Sequence, residues 1–190
     1  MSEVCVFTNL TLDGVMQAPG RPDEDRRGGF EHGGWAAPFA AMQEAGGAMG
    51  EAGALLFGRR TYEDFYAVWP GRKDNPFTEI LNNLPKYVAS RTLEEPLPWM
   101  NSTLLPGDAG DAVADLRRGS GPDLLVFGSG ELVRSLMRRN LVDRYLLLIH
   151  PLVLGAGRRL FADGGPSAAL RLVESRATSR GVVLASYVPA

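Results

Sequence analysis

Residues 123–141, DLLVFGSGELVRSLMRRNL, decide the fold. Asp123 to Phe127 is a short, almost wholly apolar run, the composition of a strand buried on both faces in the middle of a parallel sheet. Gly128-Ser129-Gly130 then breaks it. The two glycines allow a tight turn and a close approach of backbone to ligand, and Ser129 is placed to cap a helix that starts at Glu131. In that helix Leu132, Val133, Leu136, Met137 and Leu141 share one face and Arg134, Arg138 and Arg139 the other, so it packs on the sheet. Its first N–H groups and the positive end of its dipole face a place where an anion can sit. The turn has neither the G-x-G-x-x-G spacing of a Rossmann dinucleotide turn nor the G-K-[ST] of a P-loop. Backbone geometry alone also accounts for Gly-Ser-Gly at a strand-to-helix turn, so the rest of the chain must decide between the two readings.

The chain has 190 residues, the size of one domain spanning 1–190. Such a domain buries about 70% of the surface its unfolded form exposes. A formal net charge of -2 and 45% hydrophobic residues exclude the disordered and nucleic-acid-binding classes. No apolar run nears the roughly 18 residues of a membrane span, and residues 1–12 lack a signal-peptide pattern. A cytoplasmic protein is expected, with a small-molecule substrate and neither nucleic-acid nor membrane partners. Cys5 is the single cysteine. It excludes an intrachain disulfide and reads as a small buried thiol within VCVF, in keeping with a reducing compartment. His32 and His150 lack metal-ligand spacing, so no metal site is expected.

Taken in order, Val4 to Asn9 reads as a strand running into a turn at Asp13-Gly14. Asp13 has two readings, a turn aspartate bonded to its own backbone or a group at the mouth of a ligand cleft. Gln17 to Gly34 is a long polar loop, a lid or binding loop on one reading and simple surface disorder on the other. Trp35 to Ala48 is alanine-rich and reads as a helix ended by Gly46-Gly47, with Trp35, Phe39 and Met42 on one face. Ala54 to Phe57 is a strand that meets Gly58-Arg59-Arg60-Thr61. There two arginines, a glycine and a helix-capping threonine give the donors a phosphate monoester requires, unless the arginines are simply solvated.

A helix ends at Trp69-Pro70 and another spans Phe77 to Leu84. Lys86 to Ala89 is a strand leading to Ser90-Arg91-Thr92, a third strand end carrying cationic and hydroxyl donors. If these strands are parallel neighbours, all three donor sets lie along the carboxyl edge of one sheet, where open α/β sheets bind ligands. One set would suit a pyrophosphate and two the 2'-phosphate that separates NADP from NAD. Asn101 to Leu105 reads as a short strand, Asp108 to Arg118 as a helix and Val142 to Ile149 as a central strand. Leu152 to Gly157 forms a loop near the ligand edge, where Gly155 and Gly157 serve backbone geometry on one reading and ligand contact on the other. Leu170 to Ala177 and Val182 to Tyr187 read as a terminal antiparallel hairpin.

In this order the segments resemble the dihydrofolate-reductase-like family, and most closely its branch related to the reductase domain of the riboflavin-biosynthesis deaminase/reductase. They are LTLDG at 10–14, LLFGRRTYE at 55–63, KYVASRTL at 86–93, LLVFGSGELV at 124–133 and LVDRYLLLIHPLVLGAGRRLF at 141–161. The resemblance implies a three-layer α/β/α fold with a mixed, mostly parallel sheet and a C-terminal antiparallel hairpin, NADPH as hydride donor, and a homodimer. It implies that Gly58, Arg59, Arg60 and Thr61, with Ser90 and Arg91, bind the cofactor's adenosine ribose and 2'-phosphate. Gly128, Ser129, Gly130, Glu131 and Leu132 would then hold the pyrophosphate. Asp13 and Gly14 match a segment bordering the nicotinamide and substrate, with Trp35, Phe39, Leu154 and Gly155 as further substrate-pocket candidates. Asp13, through a water, or solvent itself is the candidate proton donor.

One departure bears on the chemistry. Dihydrofolate reductases carry an acidic residue early in the first long helix, whereas HGGWAAPFAAMQEAGG has none before Glu44. The implied reaction is hydride transfer to a pteridine- or pyrimidine-like heterocycle or a carbonyl, not folate reduction. A reduced flavin or deazaflavin in the same site, or a nucleotide-binding module without turnover, are the alternatives.

Overall fold

The computed structural model describes residues 1–45, 52–119 and 121–190. Its centre is an eight-stranded sheet in the order β4-β3-β2-β5-β1-β6-β8-β7. The strands are β1 (Val4–Thr11), β2 (Ala54–Gly58), β3 (Lys86–Ala89), β4 (Ser102–Leu104), β5 (Leu124–Phe127), β6 (Arg144–His150), β7 (Leu170–Ala177) and β8 (Val183–Pro189). From β4 to β6 every pairing is parallel, and β8 and β7 follow as an antiparallel hairpin. The sheet is therefore mixed and mostly parallel, as the resemblance implies. All four residues of β5 are buried, and β5 lies between β2 and β1, so the run 124–127 has apolar surface to cover on both faces.

Helices complete two outer layers: α1 (Ala41–Glu44), α2 (Arg59–Val68), α3 (Phe77–Asn83), α4 (Ala109–Arg118) and α5 (Gly130–Arg138). Alternation along the strands divides the core. Val4, Val6 and Leu10 of β1 pack with Val113 of α4 and Leu132, Val133 and Leu136 of α5. Phe7, one pleat over, packs on the opposite side with Tyr62 of α2, Leu81 of α3 and Trp99. Cys5 points to that second layer and is half-buried rather than buried. Burying helix faces on both sides of one sheet makes the three layers.

One helix differs from expectation. Residues 35–45 do not form a continuous helix: a 3₁₀ turn at Ala37–Phe39 is followed by Ala40 at φ 52° and then by the single turn α1. Proline at 38 supplies no N–H to a continuing ladder, and the left-handed residue at 40 ends the turn, so the alanine-rich pattern never becomes one element. The expected stop at Gly46-Gly47 lies outside the described residues. Among the described residues no helix is long and apolar enough to cross a membrane.

Candidate functional site

The carboxyl ends of β1, β2, β3 and β5 open into a cleft of about 1550 Å³. The chain reaches β2 from β1 across the place later taken by β5 and returns on the other side of β1 with β6. This reversal of strand order is where open α/β sheets leave a crevice. Gly58, Arg59, Arg60 and Thr61, then Ser90 and Arg91, then Gly128, Ser129, Gly130, Glu131 and Leu132 all line it. Three strand ends, separated in sequence, thus present their donors to one space.

The local geometry of the β5–α5 turn differs from the expected cap. Ser129 has left-handed backbone, φ 54° and ψ 52°, and makes no capping hydrogen bond to α5. Side-chain caps require extended backbone at that position. Here the hydroxyl turns toward β2 instead, accepting the Gly58 N–H at 2.9 Å and donating to Thr61 Oγ1 at 3.0 Å. Thr61 is likewise inside α2 rather than capping it, the N-cap being Gly58. The first intrahelical donor of α5 is the Val133 N–H, bonded to Ser129 O at 3.0 Å, so those of Gly130, Glu131 and Leu132 carry no capping side chain. They stand at the positive end of the helix dipole, on residues that line the cleft. A Cβ on Gly130 would lie 2.9 Å from Met16 Sδ, so glycine lets the loop after β1 close over this turn.

Cationic donors surround those N–H groups. Among the described residues neither Arg59 nor Arg60 forms an ion pair. Ser90 Oγ accepts the N–H of Thr92 at 3.1 Å and of Leu93 at 3.0 Å, which orders the turn carrying Arg91 and leaves the hydroxyl proton to give. Farther along, the wall becomes apolar with Met42, Phe65, Val68, Trp69, Phe77 and Leu81. Arg72 lies over the Trp69 ring, 5.3 Å from its centroid, at that end. The cleft therefore has one half lined by backbone N–H and cationic donors and one aromatic half.

The polar loop after β1 forms a wall of the cleft and is tied down rather than loose. Gln17 Nε2 donates to the carbonyls of Asp25 at 3.1 Å and Arg27 at 3.0 Å, and Gln17 Oε1 accepts the Arg158 N–H at 3.0 Å. Trp35 Nε1 donates to Gln17 O at 2.7 Å, and Phe30 is buried beside Val15 and Trp35. The Arg21 guanidinium reaches across to Asp64 of α2.

Asp13, Gly14, Trp35, Phe39, Leu154 and Gly155 stand outside the lining of this cleft. Asp13 Oδ1 accepts from the Thr11 hydroxyl at 2.6 Å and the Leu154 N–H at 3.2 Å, and Oδ2 accepts the Gly155 N–H at 2.9 Å. The Thr11 hydroxyl, aided by those N–H groups, holds the carboxyl down at about 2. Both oxygens are consumed in clamping the end of β1 to the loop after β6. Asp13 is thus a clamp just outside the lining, joined to the cleft wall through Arg159, whose Nε donates to Asp13 O at 2.8 Å. Trp35 and Phe39 meet the buried His150 edge-on at 5.1 and 5.2 Å. The His150 Nε2 pairs with Asn9 Oδ1 at 2.9 Å, and burial pulls the imidazole down to about 4.

Several cleft residues are absent from the sequence-based set. Arg158 and Arg159 line the wall, held by the bridge between Val15 and Arg159. A signal existed, because Gly157-Arg158-Arg159 repeats the Gly-Arg-Arg of 58–60. Glu24, Arg21 and Met16 also line it. Nothing periodic in the loop marks them.

This frame defines a class, an α/β/α protein with a mixed, mostly parallel sheet and a cleft at its carboxyl edge. The chain belongs to the RibD C-terminal domain family, whose profile matches residues 2–184. It is similar to YyaP of Bacillus subtilis (strain 168), 29% identical over 147 residues that cover 73% of this chain and 75% of that one. A putative riboflavin biosynthesis protein from Shewanella sp. PV-4 superposes with a TM-score of 0.70 at 21% identity, over 100% of this chain and 99% of the other. A pyrimidine reductase-like protein from Corynebacterium diphtheriae gives 0.68 at 13% identity, over 100% and 92%. The chain also matches a diaminohydroxyphosphoribosylaminopyrimidine deaminase/5-amino-6-(5-phosphoribosylamino)uracil reductase from Thermotoga maritima, TM-score 0.64 at 15% identity, covering 100% of this chain and 57% of that protein.

Proposed function

We propose that this protein is an NADPH-dependent reductase acting on a pyrimidine-like heterocycle. The carrying observation is the division of one cleft into a half where three strand ends present N–H, hydroxyl and guanidinium donors and an aromatic half. The donor set fits the cofactor. The N–H groups of Gly130, Glu131 and Leu132 would hold the pyrophosphate, and Arg59, Arg60, Ser90 and Arg91 the 2'-phosphate. Bound there, NADPH supplies a hydride. The chain's own part is to orient the acceptor ring between Phe65, Trp69 and Phe77 and to exclude water beneath residues 16–27. Arg72 at the aromatic end suits an acceptor with an anionic group, and family membership makes 5-amino-6-(5-phosphoribosylamino)uracil the first acceptor to try. The homodimer expected from the resemblance belongs to this proposal, since β7 leaves an almost wholly exposed outer strand with an unpaired edge.

The test pairs calorimetric titration of the chain with NADPH and with NADH, followed by NADPH oxidation in the presence of that uracil. Tighter binding of NADPH and acceptor-dependent oxidation are expected. Equal affinity for the two nucleotides would remove the 2'-phosphate assignment, and binding without oxidation of NADPH by any pyrimidine or pteridine would leave a nucleotide-binding module.

A further inference from the structure

Reduction of a C=N or C=O group needs a proton as well as a hydride, and Asp13 is badly placed to give one. Most carboxylates along the cleft are neutralised. Asp64 pairs with Arg21, Asp25 with Arg27 and Glu131 with Arg134. Asp108 caps α4 and pairs with Arg139, while Glu63 and Asp163 stand in solvent. Glu24 differs from all of them. It is half-buried in the loop wall, and its Oε2 accepts two neutral donors, the N–H groups of Gly20 at 2.7 Å and Arg21 at 3.1 Å. Among the described residues no hydrogen bond is made to Oε1.

We propose that Glu24 is the general acid of this cleft, with Oε2 anchored by the loop backbone and Oε1 carrying the proton that the acceptor takes up. This rests on the reductase reading given above. The charged groups around it agree with the role. Burial raises the Glu24 carboxyl above the ordinary glutamate range, and the neighbouring Asp64 charge adds to this, outweighing the two N–H bonds and the charge of Arg21. Arg21 itself is engaged by Asp64 and, at 3.5 Å, by Asp23. A carboxyl in the cleft wall, raised above the ordinary glutamate range and with one oxygen left to donate, is the kind of group general acid catalysis uses.

The balance is simple. NADPH is the reductant and gives its hydride to the acceptor carbon. The electron pair of the C=N or C=O bond passes to the nitrogen or oxygen, which bonds to the proton as the Glu24 O–H bond breaks. The carboxylate left behind regains a proton from water.

A purely structural role would make Glu24 only a staple for the turn at 20–24, and Glu24→Gln separates the two. The amide oxygen still accepts the Gly20 and Arg21 N–H groups, but the side chain cannot act as an acid. In the full chain the Glu24 carboxyl carbon, assigned by its loss in Glu24→Gln, should titrate by NMR above the usual value of about 4.3. A midpoint at or below that value overturns the proposal without any turnover being measured. With NADPH and 5-amino-6-(5-phosphoribosylamino)uracil, Glu24→Gln should lower kcat roughly 100-fold or more and abolish the alkaline limb of the pH profile, with NADPH affinity and thermal midpoint unchanged. A wild-type enzyme whose turnover survives in Glu24→Gln overturns the proposal alone. A wild type that fails to oxidise NADPH with any pyrimidine or pteridine acceptor overturns the reductase reading and this proposal with it.

Discussion

The hydroxyl of Ser129 accepts the N–H of Gly58 at 2.9 Å, joining two strand-to-helix turns that lie 71 residues apart in the chain. The same hydroxyl donates to Thr61, so the cleft-facing ends of α2 and α5 share one hydrogen-bonded hinge. Their spacing is thereby set before any ligand arrives, which reduces the ordering that binding must impose.

That junction predicts the effect of Ser129→Gly. Glycine adopts the left-handed backbone of residue 129 without strain but supplies no hydroxyl, so the variant removes the link and little else. Affinity for NADPH should fall roughly tenfold, about 1.4 kcal/mol, in calorimetric titration. Unchanged affinity would mean that the two turns act independently.

On the proposed reading, Arg59 and Arg60 carry the discrimination between nucleotides. Charge-assisted bonds to a phosphate contribute about 1.5–3 kcal/mol each, so Arg59→Ala and Arg60→Ala should each weaken NADPH roughly 10- to 100-fold while changing NADH by less than about threefold. Parallel titrations of the two nucleotides measure this. Equal losses for both would place the 2'-phosphate elsewhere, and the second Gly-Arg-Arg at 157–159 would be the next pair to change.

Local signals in the sequence carried most of the frame. The apolar run of β5, the Gly-Ser-Gly break and the one-sided apolar face of α5 are patterns of neighbours, and each is realised where the chain says it should be. The donors at 58–61, 90–91 and 128–132 are local too, and only their convergence needed the sheet order. What could not be read depends on distant partners. The Ser129 hydroxyl looks like a cap until Gly58 is beside it, and Asp13 looks like a cleft residue until Leu154 and Gly155 take both its oxygens. Glu24 sits in a segment with no periodicity, and its environment is made by Asp64 of another element. The broken helix at 37–44 was legible in principle, because Pro38 lies inside the alanine-rich run.

Asp13 and His150 together predict sensitivity to acid. The Asp13 carboxyl is held down at about 2 in the fold, so the stability it contributes is full above its ordinary 3.8 and is lost as pH falls through about 2. His150 is a base held down at about 4, and below its ordinary 6.5 the unfolded chain takes a proton that the fold refuses. Both effects weaken the fold as pH drops, His150 first, by an amount on the order of 3 kcal/mol between about pH 6.5 and 4. Denaturant midpoints measured across that window should fall for the wild type and flatten in His150→Gln, in which Asn9, Trp35 and Phe39 surround a side chain that does not titrate. Asp13→Ala should lose about 1–3 kcal/mol at neutral pH. If Asp13→Ala instead kept its stability and lost only turnover, the clamp assigned to it here would be wrong.

Lys86 sets the last expectation. It is fully buried in β3, and its Nζ donates to Asn82 O at 3.0 Å, Leu84 O at 2.8 Å and Met100 O at 3.0 Å while lying 4.7 Å from the centre of the Trp99 ring. Asn82 belongs to the last turn of α3, where carbonyls have no intrahelical donor and the helix dipole is negative. The ammonium therefore closes a helix end inside the core. Burial pulls its pKa down to about 8, so it is charged at neutral pH at a cost that three carbonyls and an indole face offset. Lys86→Met fills similar space but leaves those carbonyls unpaired in an apolar setting, and should destabilise the fold by about 2–4 kcal/mol. The pH dependence separates this from a simple packing defect. Between about 8 and 10.5 the unfolded chain holds a proton on Lys86 that the fold has released, so this residue makes wild-type stability rise with pH across that window, and Lys86→Met should lack the rise. Denaturation at pH 7 and pH 10 measures the difference, and an identical pH slope in the two proteins would show that the buried ammonium keeps its ordinary pKa.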